Sequence, residues 1–307
     1  MKRMTSVTAM NLILQGLNPD AATIAGIAAL VSPSATARLT AVPAAALGTT
    51  APDKHQYPQA WRVEGVQLSA EGRAALDAAC LAAQIDYALV DAPQKKIGDF
   101  KLLAMDMDST LITIECIDEI ADMQGLKPQV AAITEAAMRG EIEFRESLTR
   151  RVALLKGLDA SALQRVYDER LGLSMGAQPM LDAIQAAGVK TLLVSGGFTF
   201  FTDRMKQRLG LDYTHANVLE IEHGKLTGRV IGEIVDADEK KRTVERVCAE
   251  LGCSTGEAIV MGDGANDLNM MRIAGLSVAF RAKPVVRAQA DVALNFVGLD
   301  GILSLFA

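Results

Sequence analysis

From residue 100 onward, short apolar runs alternate with stretches of helical length, and that alternation leaves few folds open. Leu102–Met105, Val189–Val194, Ala258–Met261, Ser277–Phe280 and Val292–Asn295 read as strands. Pro179–Ala187, Phe200–Leu209, Lys240–Leu251 and Asn266–Ala274 read as helices, the first two stopped by Gly188 and Gly210. Strands alternating with helices imply a parallel sheet covered on both faces, with sites beyond the carboxyl ends of its strands. Asn217–Ile234, with His223-Gly224-Lys225 at its centre, reads as a hairpin. One interval breaks the rhythm. Between the first two strands an acidic, amphipathic helical stretch runs from about Glu115 to Leu171, interrupted at Gly125–Pro128, Gly140 and Gly157. It is far longer than one crossover and reads as an inserted helical cap.

The first 95 residues are built differently. A strand at Val7–Leu17, an Ala-rich helix at Pro19–Leu30, a strand at Ala37–Val42, a Pro/Gly/Thr loop at Leu47–Gln59, a strand at Trp61–Leu68, a helix at Ser69–Ala83 and a strand at Asp86–Val90 describe a small α+β domain. Asp91–Gly98, with Pro93 and two lysines, reads as a linker. The expected division is therefore an N-terminal α+β domain at 1–95 and an α/β domain at 96–307, with the cap inserted at about 115–178. Charge follows the same division. Residues 1–95 carry seven basic and seven acidic side chains, so the net charge of −6 falls entirely on the remainder.

A chain that is 50% hydrophobic and 22% charged is neither disordered nor collagenous. Its acidic balance offers no electrostatic case for nucleic acid or an anionic membrane surface as the main partner. Four cysteines with no C-x-x-C pair point to a reducing, cytoplasmic setting, and the three histidines have no zinc-site spacing. The uncharged run Ala21–Val31 is too short to span a membrane. Polar residues Thr5, Ser6, Thr8, Asn11 and Gln15 interrupt the apolar start, so no secretion signal is expected.

Four segments carry the chemistry. Asp106-Met107-Asp108-Ser109-Thr110 follows the strand Leu102–Met105. Two carboxylates at i and i+2 beyond a strand end would raise each other's pKa unless a cation or a shared proton intervened. An Asp-rich turn capping the next helix explains this segment alone equally well. Gly262-Asp263-Gly264-Ala265-Asn266-Asp267 follows another strand, its glycines permitting a tight turn and its aspartates offering the hard oxygen donors that Mg²⁺ takes. Read singly, it is a strand-to-helix turn with Asn266 or Asp267 as the cap; the two acidic loops together are far more specific. Ser195-Gly196-Gly197-Phe198, at another strand end and the start of a helix, combines a hydroxyl with glycine N–H groups and suits a phosphoryl oxygen. It is not a G-x-S-x-G elbow, which argues against serine-hydrolase chemistry. Asp236-Ala237-Asp238-Glu239-Lys240-Lys241-Arg242 is a charge run at a helix start, where a solvated helix end is the plainer reading and a lysine facing a phosphate the sharper one.

Taken in order, Asp-x-Asp-x-Thr, Ser-Gly, Lys and Gly-Asp-Gly-x-Asn-Asp resemble the haloacid dehalogenase-like phosphohydrolase superfamily over roughly residues 100–307. The resemblance implies a Rossmann-like core with a helical cap. It also implies Mg²⁺-dependent hydrolysis of O-phosphoserine to serine and phosphate through an aspartyl phosphate, the last step of L-serine biosynthesis. Another small phosphomonoester, or a catalytically quiet metabolite sensor, are the alternatives. By the same resemblance Asp106 is the nucleophile and Asp108 the general acid and base. Mg²⁺ is held by Asp106, the Asp108 carbonyl and Asp263, with Asp267 orienting. Ser195, Gly196 and Lys240 grip the phosphoryl oxygens, and Asn266 touches the phosphate or metal-bound water. In the cap, Glu115 receives the substrate ammonium, Arg151 its carboxylate, and Met138 and Phe144 exclude water. The element order of residues 1–95 resembles the ACT small-molecule-binding fold, which leaves ligand sensing, homodimerisation and structural support as alternatives.

Overall fold

The computed structural model describes residues 10–31, 39–41, 56–66, 68–139 and 141–307. The N-terminal region comprises β1 (Met10–Gly16), α1 (Ala21–Val31), β2 (Leu39–Ala41), β3 (Gln59–Val66), α2 (Ala70–Ala83) and β4 (Asp86–Asp91). Then follow β5 (Leu102–Met105), α3 (Cys116–Asp122), α4 (Lys127–Met138), α5 (Phe144–Ala153), α6 (Ser161–Glu169), α7 (Ala177–Ala186), β6 (Lys190–Phe198) and α8 (Thr199–Leu209). The chain ends with β7 (Tyr213–Glu222), β8 (Lys225–Ile231), α9 (Ala237–Glu250), β9 (Ala258–Gly262), α10 (Leu268–Met271), β10 (Leu276–Phe280), α11 (Pro284–Arg287) and β11 (Val292–Leu294). The start of the strand expected from Val7 and most of the loop expected at 47–59 lie outside the described residues.

The chain forms two compact units, one of residues 1–100, 175–189 and 276–307, the other of residues 101–174 and 190–275. In the first, four strands make an antiparallel sheet in the order β2-β3-β1-β4. This split βαβ order is the ferredoxin-like arrangement. Leu12, Leu14, Ile24, Ile27, Val63 and Leu76 form its core. Ser69 starts α2 by accepting a hydrogen bond from the Gly72 N–H. At the end of β4 facing β11, the buried Asp86 carboxylate accepts from the N–H groups of Asn295, Phe296 and Val297. Burial nonetheless holds its pKa above the ordinary value. β10 and β11 pair in parallel.

In the second unit the strand order is β9-β5-β6-β7-β8. The first four are parallel and β8 closes the edge antiparallel to β7. The β7–β8 turn is the two residues His223 and Gly224, both at positive φ, as a tight hairpin requires. β5 is buried along its whole length. From β5 the chain adds β6 and β7 on one side, and β9 lies on the other, so β5 marks the reversal of strand order where α/β ligands bind. The helical interval between β5 and β6 supplies α3 to α6, as the sequence implied. Its two ends meet. Ile112 bridges Leu173, the Thr113 N–H donates to the Gly172 carbonyl at 2.9 Å, and the Ser174 N–H donates to the Leu111 carbonyl at 3.0 Å.

Candidate active site

Three parallel strand ends build the site. The Asp106 N–H donates to the Met261 carbonyl at 3.0 Å, tying the end of β5 to β9. A wide helical turn over Met107–Leu111 follows, begun by Asp106, whose Oδ1 accepts from the Met107 N–H at 2.7 Å. Ser109 in this turn sits at φ +55°, a left-handed conformation costly for a residue with a Cβ. Its hydroxyl is fixed by donation to Glu115 Oε1 at 2.6 Å. Thr110 crosses to the opposite loop, donating to Asp263 Oδ1 at 3.2 Å.

Lys240 is the hub. It lies one turn inside α9 and is fully buried, with Nζ 2.9 Å from Asp106 Oδ1 and 2.7 Å from Asp267 Oδ1. Burial works against its charge, but the two carboxylates outweigh that and hold its pKa above the ordinary value. Asp106 shifts upward, through burial first and the charge of Asp267 second, with Lys240 opposing. Asp263 is pushed up to about 6 by burial and Asp267.

One oxygen from each of Asp106, Asp263 and Asp267 falls within 4.8 Å of the others. Three carboxylates facing one ammonium leave an excess of negative charge in a desolvated pocket, and hard oxygen donors suit a divalent cation. The residues fit a metal. Asp267 Oδ1 already accepts from Lys240, and its Oδ2 accepts from the N–H groups of Asp263 (3.2 Å) and Gly264 (3.0 Å). A carboxylate so committed orients the loop, whereas the bonds of Asp106 and Asp263 run to Oδ1 and leave Oδ2 open to a cation. Gly262 is required here, since a Cβ would strike the Asp267 carboxylate.

Asp108 carries a buried Oδ1 with no hydrogen-bond partner. Its pKa is pushed up to about 8, by burial and then by Glu115, against hydrogen bonds from Cys116. A carboxyl held toward its neutral form suits proton exchange. Asp108 Oδ2 and Ser195 Oγ each lie 3.0 Å from the point a Cβ on Gly197 would occupy, so both groups converge on that glycine. The Ser195–Phe198 segment lies at a strand end before a helix, as expected, but the strand itself runs further than Val194. β6 continues through Phe198, losing register with β7 between Val194 and Phe198, and α8 begins only at Thr199. The Gly197 N–H is spent on Ser195 Oγ at 2.8 Å.

The cap residues converge from α3 and α5. Glu115 precedes α3. Arg151 on α5 has its pKa lowered by burial, partly offset by Asp118, Glu115 and Asp108. The Phe144 ring covers Gly196, its Cζ 3.1 Å from where a Cβ would stand. Met138 ends α4, and its side chain lies outside the described residues. Asn266 is half-buried beside Gly264.

Sequence reasoning missed two contributors. Asp118 faces Arg151, and burial raises its pKa against the opposing charges of Arg151 and Lys127. Buried Asn217 braces the Ser195–Phe198 segment, donating from Nδ2 to the Gly196 carbonyl at 2.8 Å and accepting the Val235 N–H at 2.9 Å. Side-chain-to-backbone bonds leave no periodicity, so nothing marked Asn217 in the sequence.

Acidic loops at adjacent parallel strand ends, joined by a buried lysine beneath a helical insert, define a phosphoryl-transfer hydrolase of the α/β type. Residues 100–275 match the haloacid dehalogenase-like hydrolase family, and the chain belongs to it. Within that family its likeness is to phosphoserine phosphatases. It is 58% identical over 221 residues to the phosphoserine phosphatase of Polaromonas sp., covering 70% of this chain and 94% of the relative. A haloacid dehalogenase family hydrolase from Salmonella enterica serovar Typhi superposes with a TM-score of 0.84 at 34% identity, over 96% of this chain and 98% of that one. A phospho-aspartyl intermediate analogue of phosphoserine phosphatase aligns with 70% of this chain and all of its own, at 37% identity and a TM-score of 0.64.

Proposed function

We propose that this chain is a phosphoserine phosphatase that hydrolyses O-phosphoserine to serine and phosphate. The observation that carries the reading is the buried Asp106–Lys240–Asp267 array beside Asp263, in a chain 58% identical to a phosphoserine phosphatase. Asp106 attacks phosphorus and forms an aspartyl phosphate as the bond to the serine oxygen breaks. Asp108 gives that oxygen its proton, then takes one from the water that hydrolyses the acyl phosphate, regenerating both carboxyls. Lys240 and the loop Ser195–Gly196 hold the phosphoryl oxygens, with Asn266 beside them.

Mg²⁺ is the cation we assign, held by Asp106, Asp263 and the Asp108 carbonyl, with Asp267 orienting the loop. When bound it neutralises charge on the transferring group. Glu115 receives the ammonium of the substrate and Arg151 its carboxylate, a fork suited to two oxygens. Phe144 and Met138 keep bulk water out. We assign the catalytic domain to residues 96–307, with a cap at about 115–178, and a separate N-terminal domain to 1–95. Among the described residues no helix is long and apolar enough to cross a membrane, and the proposed setting is cytoplasmic, at the last step of L-serine formation.

The test is phosphate release from phosphoserine, phosphothreonine, a sugar phosphate and an aryl phosphate, with Mg²⁺ and with EDTA. Metal-dependent preference for phosphoserine is expected. Preference for another ester would keep the aspartyl-phosphate chemistry and discard this substrate, and no release from any would discard both.

A further inference from the structure

We infer that Arg145 and Asp236 are a positioning pair that sets the substrate-selecting face of α5 against the phosphate-binding strand end; this deepens the phosphoserine reading and rests on it. Arg145 Nε donates to Asp236 Oδ2 at 2.6 Å. The other oxygen of Asp236 caps α9, accepting from the N–H groups of Asp238 at 3.1 Å and Glu239 at 2.9 Å. The Asp236 carbonyl accepts from the Lys240 N–H at 2.9 Å. One carboxylate is thus divided between the helix that carries Lys240 and the helix that carries Arg151.

The residues on either side are fixed to the same place. Val235 is bound to Asn217, which holds the Gly196 carbonyl, and Phe144 lies on Gly196. Arg145 and Arg151 stand six residues apart on one helix, about 9 Å along its axis, so a shift at the first moves the second. Other cap arginines pair inside the cap: Arg139 with Glu135 and Glu141, Arg150 with Glu146, Arg165 with Glu169, and Arg170 with Glu119 and Asp122. Arg145 reaches out of it. Its Nε is bound to Asp236, so the role assigned to it runs through α5 and not through the reacting atoms.

A half-exposed pair of this kind supports a modest effect, about threefold to fivefold. The experiment compares steady-state kinetics of the full chain on phosphoserine and p-nitrophenyl phosphate, the second lacking the amino-acid groups. Arg145→Met is expected to raise KM for phosphoserine about threefold to fivefold with kcat little changed, leaving kcat/KM for p-nitrophenyl phosphate within twofold. Arg145→Lys, which keeps the charge, should stay near the parent. Asp236→Asn, which retains an oxygen for the α9 cap, should match Arg145→Met, and the double variant should be no worse than either. Equal losses on both substrates, no loss on phosphoserine, or additive losses in the double variant would overturn the inference. Failure of the phosphoserine reading itself shows separately, as an unmodified enzyme without preference for that substrate.

Discussion

The strand-end loops and the cap use charge in opposite ways. At the strand ends Asp106 and Asp267 are withdrawn from water, and the buried ammonium of Lys240 pairs with both. In the cap, Arg150 and Glu146 pair with half of each side chain in solvent, as do Arg165 and Glu169. Removing one partner from a buried set leaves an uncompensated charge, whereas removing one from an exposed pair leaves a hydrated one. The buried array is therefore where substitution is most damaging, and the exposed pairs of the cap are where it is most tolerated.

The largest effect expected is on turnover. Asp106→Asn is nearly isosteric, so it should fold while losing at least about a hundredfold in kcat, since it removes the proposed nucleophile. Higher residual activity in a phosphate-release assay would contradict covalent catalysis. Lys240→Met should abolish activity and, with metal chelated, also lower stability by about 3–5 kcal/mol, because Asp106 and Asp267 would be left facing each other without the ammonium. Urea denaturation measures this, and an unchanged midpoint would mean the array is less desolvated than its burial indicates.

Asn217→Ala should come next, lowering kcat/KM on phosphoserine and aryl phosphate alike about tenfold, because it frees the Gly196 carbonyl and the Val235 N–H together. A loss confined to phosphoserine would place Asn217 with the cap. Adjacent arginines then divide the cap itself. Arg151→Ala should reduce phosphoserine hydrolysis far more than aryl phosphate hydrolysis. Arg150→Ala, whose partner Glu146 is one turn away in solvent, should change stability by less than about 0.5 kcal/mol and neither activity appreciably. Matching behaviour of the two variants would erase the distinction between the two sides of α5.

The same contrast explains what could be read from the sequence. Asp106, Asp108, Asp263 and Asp267 follow short apolar strands, and tight turns at strand ends fix their spacing, so the loops were legible. Leu102–Met105 is a strand as expected, because four apolar residues in a fully buried parallel strand leave no other period to mistake. The hairpin was visible from His223-Gly224. The extension of β6 through Phe198 was not, since glycines signal a turn and only the pairing with β7 shows otherwise. Cross-element bonds such as Arg145 to Asp236, 91 residues apart, have no local trace.

The joined ends of the helical insert have a consequence for how such a chain can diversify. Its base is closed by the Ile112–Leu173 bridge and the flanking backbone hydrogen bonds, so the intervening segment is a loop whose ends already meet. Closure entropy grows only logarithmically with loop length, about 0.6 kcal/mol for each doubling. Closing the chain around a longer or shorter insert is therefore weakly opposed, provided Leu111–Thr113 and Gly172–Ser174 are kept. Asp106, Asp263 and Asp267 lie outside the insert, so its length can change without altering their spacing.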